Sequence, residues 1–400
     1  MTSSADNPAH LRSRLVSLDI IRGVVMVLMA LDHVRVFAGV PAGGPDPAVF
    51  FTRWVTNFCA PAFVFLAGTG AFLHAVAVND RRAMSRYLLV RGVLLIVLEM
   101  TISRLSWTFN FDFYNYTEAN VLWVIGWSMI GMAALIHLPL RWITVFGLAM
   151  MAGHNLLDGM PQSAFDAIQH SSFSGFWQVL YAPFSEFRFF GNGPMLVVLY
   201  TIVPWVGVMA AGYGFGVVLQ FDEVRRRAWC LCLGLGATVL FVVLRALNTY
   251  GNPWPWGSSD NGLSPLLSFL AVNKYPASLQ FLLMTLGPTI AAIPLLERVH
   301  SYWADWLTVF GRTPMYYYLL HLPLIHFVAV LISLVRSPAA TPWLFLNHPL
   351  RIPPPPDGYM WSLPLLYAVT ALVVVMLYFP CRWYAARKAR GPRNWFTTYI

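Results

Sequence analysis

Charge is what this 400-residue chain has least of. Asp, Glu, Lys and Arg make up 11% of it, against roughly 25% in soluble domains. A water-soluble fold could not cover its surface with so few charges, so the two or three soluble domains that the length would allow are excluded. Lysine is nearly missing: Lys274 and Lys388 are the only two. Cysteine is scarce, and Cys59, Cys230, Cys232 and Cys381 all lie in or beside apolar runs. They form no disulfide framework, Cys230 and Cys232 stand too close together for a zinc ribbon, and all four read as small buried hydrophobes. The histidines show no ligand spacing, so no metal is expected. No internal repeat is visible, which speaks against an inverted-repeat transporter.

What the chain has in quantity is apolar surface, with 58% of its residues hydrophobic. The apolar runs predict an all-α, polytopic integral membrane bundle of about ten transmembrane helices. Spans are expected at about 15–37, 54–78 and 87–106, then a pair flanking the turn 139–142. Further spans end before 221, at 247 and at 297, and the last two cover about 313–335 and 363–384. Arg12 and Arg14 give the first run the look of a secretory signal. It is too long for one, however, and carries Asp32, His33 and Arg35, so it reads as an uncleaved helix. Segment 158–192 reads as amphipathic surface structure, and Pro353–Pro356 as a stiff polyproline spacer.

A net charge of +9 could suggest nucleic acid, but the arginines fall in short clusters at 79–86, 139–142, 221–227, 297–304 and 382–393. These clusters alternate with an even number of spans, so all can face the cytoplasm at once. The expectation is a bacterial plasma (inner) membrane protein with both termini cytoplasmic, the lipid bilayer as its surroundings and no nucleic-acid partner. The chain reads as one domain over 1–400, with a cytoplasmic segment at about 1–14 and a basic tail at about 385–400. A homo-oligomer is left open.

Ionisable residues inside the spans carry the functional signal, because each is costly there unless paired or used. The first span is the densest, with Asp19, Arg22, Asp32, His33 and Arg35. Asp19 with Arg22, and Asp32 with Arg35, are three apart and can pair on one helical face. At about 1.5 Å per residue, Arg22 and His33 lie roughly 16 Å apart along the axis. One helix therefore offers a cation low in the membrane and an imidazole high in it. Successive residues point about 100° apart, so Asp32 is not placed to orient His33 directly. Glu99 and Arg245 read as interhelical partners of other charges. His74, His137, His154, His170, His300 and His348 lie at span ends or in loops and read as bland, and His326 faces away from His321.

The motif Ser17-Leu18-Asp19-Ile20-Ile21-Arg22-Gly23 with Leu28-Met29-Ala30 resembles the first helix of the heparan-α-glucosaminide N-acetyltransferase family and its bacterial relatives, within the transmembrane acyltransferase superfamily. Similar stretches recur at 57–68, 204–212, Asn273-Lys274-Tyr275-Pro276, 283–288, Phe310-Gly311-Arg312 and 316–321, so the resemblance covers nearly the whole chain. Arg22 and His33, with ten residues between them, also resemble the Arg-x10-His signature of bacterial membrane acyltransferases that acetylate surface sugars. There the histidine looks like the catalytic base, and the arginine helps to hold acyl-CoA. The lysosomal-type enzymes carry Asn at the position of His33 and their histidine in the next loop. Here that loop, 39–51, contains no histidine.

The resemblance implies a membrane-embedded acyltransferase. It would move an acetyl or similar acyl group from cytoplasmic acetyl-CoA, or another acyl-CoA, to an amine or hydroxyl of a sugar-like acceptor outside. His33, with Asp32 and His321, forms the candidate catalytic set, His33 being the general base. Arg22, Arg91 and Arg312 are the candidate acyl-CoA ligands, since cations near the cytoplasmic face suit a donor's phosphates. Asn273 and Lys274 are candidates for binding the acceptor or a developing oxyanion. A transporter or permease using the same buried charges, and a non-catalytic membrane scaffold, remain as alternatives.

Overall fold

The computed structural model describes residues 15–188, 191–257, 262–347, 349 and 353–390. Arg12, Arg14, His348, the segment 1–14 and the tail beyond 390 lie outside them. Helices in chain order are α1 (Val16–Phe37), α2 (Pro47–Trp54), α3 (Cys59–Val78), α4 (Arg81–Leu98), α5 (Arg104–Thr108), α6 (Val121–Leu135), α7 (Leu140–Gly153) and α8 (Gln162–Gln169). They continue with α9 (Ser174–Leu180), α10 (Ile202–Phe215), α11 (Glu223–Leu247), α12 (Pro265–Leu270), α13 (Leu279–Leu296), α14 (Tyr302–Arg312), α15 (Pro314–Arg336) and α16 (Leu363–Arg390).

Among the described residues, six helices are long and apolar enough to cross a membrane: 47–78, 202–220, 223–247, 279–296, 314–336 and 363–390. The helices α1, α4–α5, α6 and α7 pack into the same bundle, giving the all-α polytopic fold expected from the apolar runs. α1 falls outside the six because of its five ionisable residues. It tolerates them because α3, α13, α14, α15 and α16 enclose it, and Asp19 and Arg35 are buried. α11 sits at the periphery, with Leu235, Val239 and Leu240 turned outward.

Close helix contacts are made by glycine. A Cβ added at Gly68 of α3 would overlap the Met209 carbonyl oxygen of α10, and one at Gly212 of α10 would overlap the Phe65 carbonyl of α3. Gly23 and Gly311 lock α1 to α14 in the same reciprocal way, against the carbonyls of Leu307 and Asp19. Between α4 and α6, a Cβ on either Gly92 or Gly126 would lie 2.6 Å from the other's carbonyl oxygen. Lipid supplies no hydrophobic drive between helices, so backbones that approach this closely gain their association from dispersion.

Several details depart from the expectations. The second span begins earlier, because α2, opened by Asp46 capping Ala48 and Val49, runs through a 3-10 turn (Val55–Phe58) into α3. The segment 297–304 leads into a separate helix, α14, with Tyr302 and Trp303 exposed on its first turn. Segment 158–192 holds α8 and α9 but also a strand, β2 (Ser185–Arg188), in a three-stranded sheet with β1 (Thr117–Ala119) and β3 (Met195–Val198). β3 lies in the middle, parallel to β1 with Thr117 opposite Leu196, and antiparallel to β2 with Ser185 opposite Val198. Strands of three or four residues leave too little periodicity to read in advance.

Glu99 and Arg245 do not pair with other charges. A π-turn at Glu99–Ser103 joins α4 to α5, and there Glu99 accepts the backbone N–H groups of Leu122 (2.6 Å) and Trp123 (3.3 Å). The side chain of Asn120, the residue preceding α6, caps nothing, so Glu99 supplies the acceptor that the helix start needs. Arg245 donates to four carbonyls, those of Trp254, Ser268, Phe269 and Ala271, at 2.8 to 2.9 Å. It thereby ties down the loop before α13.

The arginine asymmetry gives a direct test of topology. In a Cys232→Ser background, cysteines at Arg82 and Val224 should react with an impermeant thiol reagent from one side, and one at Ser171 only from the other. Labelling of Ser171→Cys and Val224→Cys from the same side would contradict the arrangement of spans.

Candidate active site

Two of the cavities in the bundle, one near each end, gather the residues singled out in the sequence. The first, of about 300 Å³, lies toward the arginine-rich end between α1, α3, α4, α6, α14, α15 and α16. Arg22, Arg91, Arg312 and Lys388 all line it. Arg22 reaches the Asp19 carboxylate at 3.4 Å and the Leu66 carbonyl at 3.4 Å. Arg91 donates to the Tyr87 hydroxyl at 2.6 Å, while its buried Nε finds no acceptor among the described residues. Arg312 is half-exposed and stands 3.9 Å from the far oxygen of Asp19. Four cations line one cavity, a charge balance that would suit a multiply charged anion.

The second cavity, of about 410 Å³, lies at the opposite end. Asp32, His33, Arg53 and Lys274 line it, with Trp107, Tyr200 and Tyr275, and Pro353–Pro355 form part of its rim. Asp32 pairs with Arg35 (3.1 Å) and Arg53 (3.6 Å), so its carboxylate holds two guanidinium groups rather than the imidazole. Arg35 also donates to the Val40 carbonyl at 2.8 Å, which fixes the turn leaving α1. Arg53 is held by Thr56 and Asn57 one turn along. Lys274 approaches the Tyr275 ring at 5.3 Å.

His33 meets His321 of α15, with Nδ1 of His33 2.8 Å from Nε2 of His321. The Nδ1 of His321 lies 2.6 Å from the Tyr318 carbonyl oxygen. A carbonyl can only accept, so that Nδ1 carries hydrogen and Nε2 of His321 is an acceptor. His33 must then donate from its own Nδ1, which leaves the lone pair on its Nε2. The hydrogen-bond network therefore assigns the tautomer of His33, much as a carboxylate does in a catalytic triad. Trp107 packs edge-on to the His33 ring at 4.8 Å and narrows its choice of rotamer.

The sequence-predicted residues thus divide between two places. Arg22, Arg91 and Arg312 share the first cavity, and Asp32, His33 and Lys274 the second, with His321 buried directly behind His33. Asn273 is not among the residues that line the cavity. Its side-chain amide donates to the carbonyls of Tyr275 and Pro276, and the residue braces the loop that presents Lys274. Two cavity residues escaped the sequence reading. Lys388 lies within the basic tail, and nothing in the sequence singles out Arg53. His326 stacks on Phe109 at 3.9 Å and bonds the Ser106 carbonyl at 3.0 Å, far from any chelating arrangement.

No curated protein matches the sequence. Residues 14–246 match the family described as heparan-alpha-glucosaminide N-acetyltransferase, catalytic. That stretch contains α1, α3, α4 and α6, which contribute to the walls of the cavities, and it ends before Lys274, Arg312, His321 and Lys388. More than half of the chain is covered, and the protein belongs to the heparan-alpha-glucosaminide N-acetyltransferase catalytic family.

Proposed function

We propose that this protein transfers an acetyl or similar acyl group from an acyl-CoA to an amine or hydroxyl of a sugar-like acceptor entering from the other face. The supporting observation is the division of chemistry between two adjoining cavities. One gathers four cations suited to the donor's phosphates, and the other presents the lone pair of an oriented histidine. Membership of a transferase family agrees with this reading. The arginine-rich end is the cytoplasmic one on the positive-inside rule, which matches where acyl-CoA is found.

In the proposed reaction, Nε2 of His33 takes the proton from the acceptor as its nitrogen or oxygen attacks the thioester carbonyl. The new C–N or C–O bond forms, the C–S bond breaks, and the leaving thiolate takes the proton back from His33. His321 keeps the ring turned throughout, because its Nε2 accepts from His33 Nδ1–H whether or not the ring is charged. Lys274 and Arg53 supply positive charge for the oxygen that turns anionic. Asp32 acts through these cations by holding Arg35 and Arg53 in the wall. A thioester is already activated, so positioning and proton removal can supply much of the rate.

Calorimetry with coenzyme A tests the donor assignment. Arg22→Ala should weaken binding by about tenfold, the loss of one charge-assisted contact. Because Arg22 also faces Asp19, thermal stability is measured alongside, with Arg22→Lys keeping the charge. Unchanged affinity in folded Arg22→Ala and Lys388→Ala proteins would assign both residues to structure and remove the donor reading.

A further inference from the structure

The two cavities are not separated by a thick plug. Phe63 of α3 and Val121 of α6 line both of them. Along α3 the cavity-facing residues follow helical spacing: Cys59 and Ala60 face the His33 cavity, and Ala67 and Gly70 the arginine cavity, with Phe63 between. α1 repeats the pattern, with Met26 on one side and Met29 on the other. The partition is therefore a single apolar layer, and Phe63 is the aromatic ring in it. Its neighbours Ala62 and Val64 are fully buried, yet Phe63 is only half-buried, because open space lies on two sides of its ring. Val121 opens the first turn of α6, where Glu99 fixes the backbone through Leu122 and Trp123. One side of the partition is thus held by hydrogen bonds, and the other carries the aromatic side chain that borders both cavities.

We propose that Phe63, closing against Val121, is the aperture through which the acyl end of the donor reaches His33, and that its ring sets the largest acyl group transferred. This rests on the proposed function. An uncharged acyl end can cross an apolar layer, whereas phosphates and hydrated ions cannot without losing their water. The donor's charged end therefore stays with the arginines while its thioester reaches the base. The same layer keeps the two faces of the membrane sealed from each other. In an apolar slot of this kind each additional methylene is discriminated by about tenfold or more.

The test gives wild-type and Phe63→Ala proteins, purified in detergent, acetyl-, butyryl- and hexanoyl-CoA, with hydroxylamine as a small acceptor. Coenzyme A affinity is measured first by calorimetry, then acyl hydroxamate formation. Phe63→Ala should raise the butyryl-to-acetyl rate ratio by about tenfold or more, and Phe63→Trp should slow acetyl transfer with coenzyme A affinity unchanged. Should Phe63→Ala fail to fold, Val121→Ala trims the same aperture from its other side and should move the ratio the same way. An unchanged ratio in folded protein that binds coenzyme A and transfers acetyl would overturn the aperture while leaving the proposed function intact. Wild-type protein that binds no coenzyme A would overturn the donor reading itself, and the aperture with it.

Discussion

His33→Ala protein is expected to bind coenzyme A as wild type does and to transfer acyl groups about a hundredfold more slowly, the scale of losing general-base catalysis. Binding survives because Arg22 lies roughly 16 Å away along the same helix, in the other cavity. Transfer slows because His33 is the one imidazole among the described residues lining that cavity, and the carboxylate there, Asp32, is engaged by Arg35 and Arg53. His321→Ala should also slow transfer, by a different route: His33 keeps its base but loses the acceptor that fixes its tautomer. Single-turnover rates with saturating donor separate the two, since only the His33 variant lacks the base itself. His33→Asn is the sharper comparison, because the resemblance to the lysosomal-type enzymes implies Asn at this position. Activity in His33→Asn with none in His321→Ala would exchange the two roles. Full activity in folded His33→Ala would remove the base from this position altogether.

Gly68→Leu should cost the fold. The new side chain would have to enter the space of the Met209 carbonyl and the Tyr213 backbone nitrogen, so α3 and α10 must separate. Overpacking at side chains costs about 1–3 kcal/mol. Here the obstacle is backbone on a neighbouring helix, which has no rotamer to yield, and total stabilities are only about 5–15 kcal/mol. The expected outcome is loss of the monodisperse peak in detergent gel filtration, or a fall of many degrees in unfolding temperature. Gly236→Leu is the matched control: it lies on the exposed side of α11 with nothing within 4 Å of an added Cβ. Equal stability of the two variants would show that the α3–α10 approach is not tight.

The bundle was legible because about twenty consecutive apolar residues between arginine clusters have few other readings. Pairings within one helix were equally legible: Asp32 with Arg35 and Asp19 with Arg22 follow from a spacing of three. The meeting of His33 with His321, 288 residues apart, was not, because spacing says nothing about which helices adjoin. For the same reason nothing in the sequence singles out Arg53, or sets Lys388 apart from the other basic residues of its tail. Glu99 and Arg245 were misread for another reason. Their partners are backbone N–H and carbonyl groups, which every residue carries and no sequence distinguishes. Asn273 shows the reverse: it lies in a family-like motif beside Lys274, yet its amide N–H groups donate within its own loop.

The reciprocal glycines also limit how this sequence can change. At most helix contacts, a residue that grows can be accommodated if its neighbour shrinks. Where Gly68 rests on the Met209 carbonyl and Gly212 on the Phe65 carbonyl, the obstacle is a peptide group, which no change of the facing side chain removes. The Gly23–Gly311 contact has the same form. A selection for second-site suppressors of substitutions at these glycines should therefore return true revertants, because no neighbouring position holds the atoms that would have to be removed.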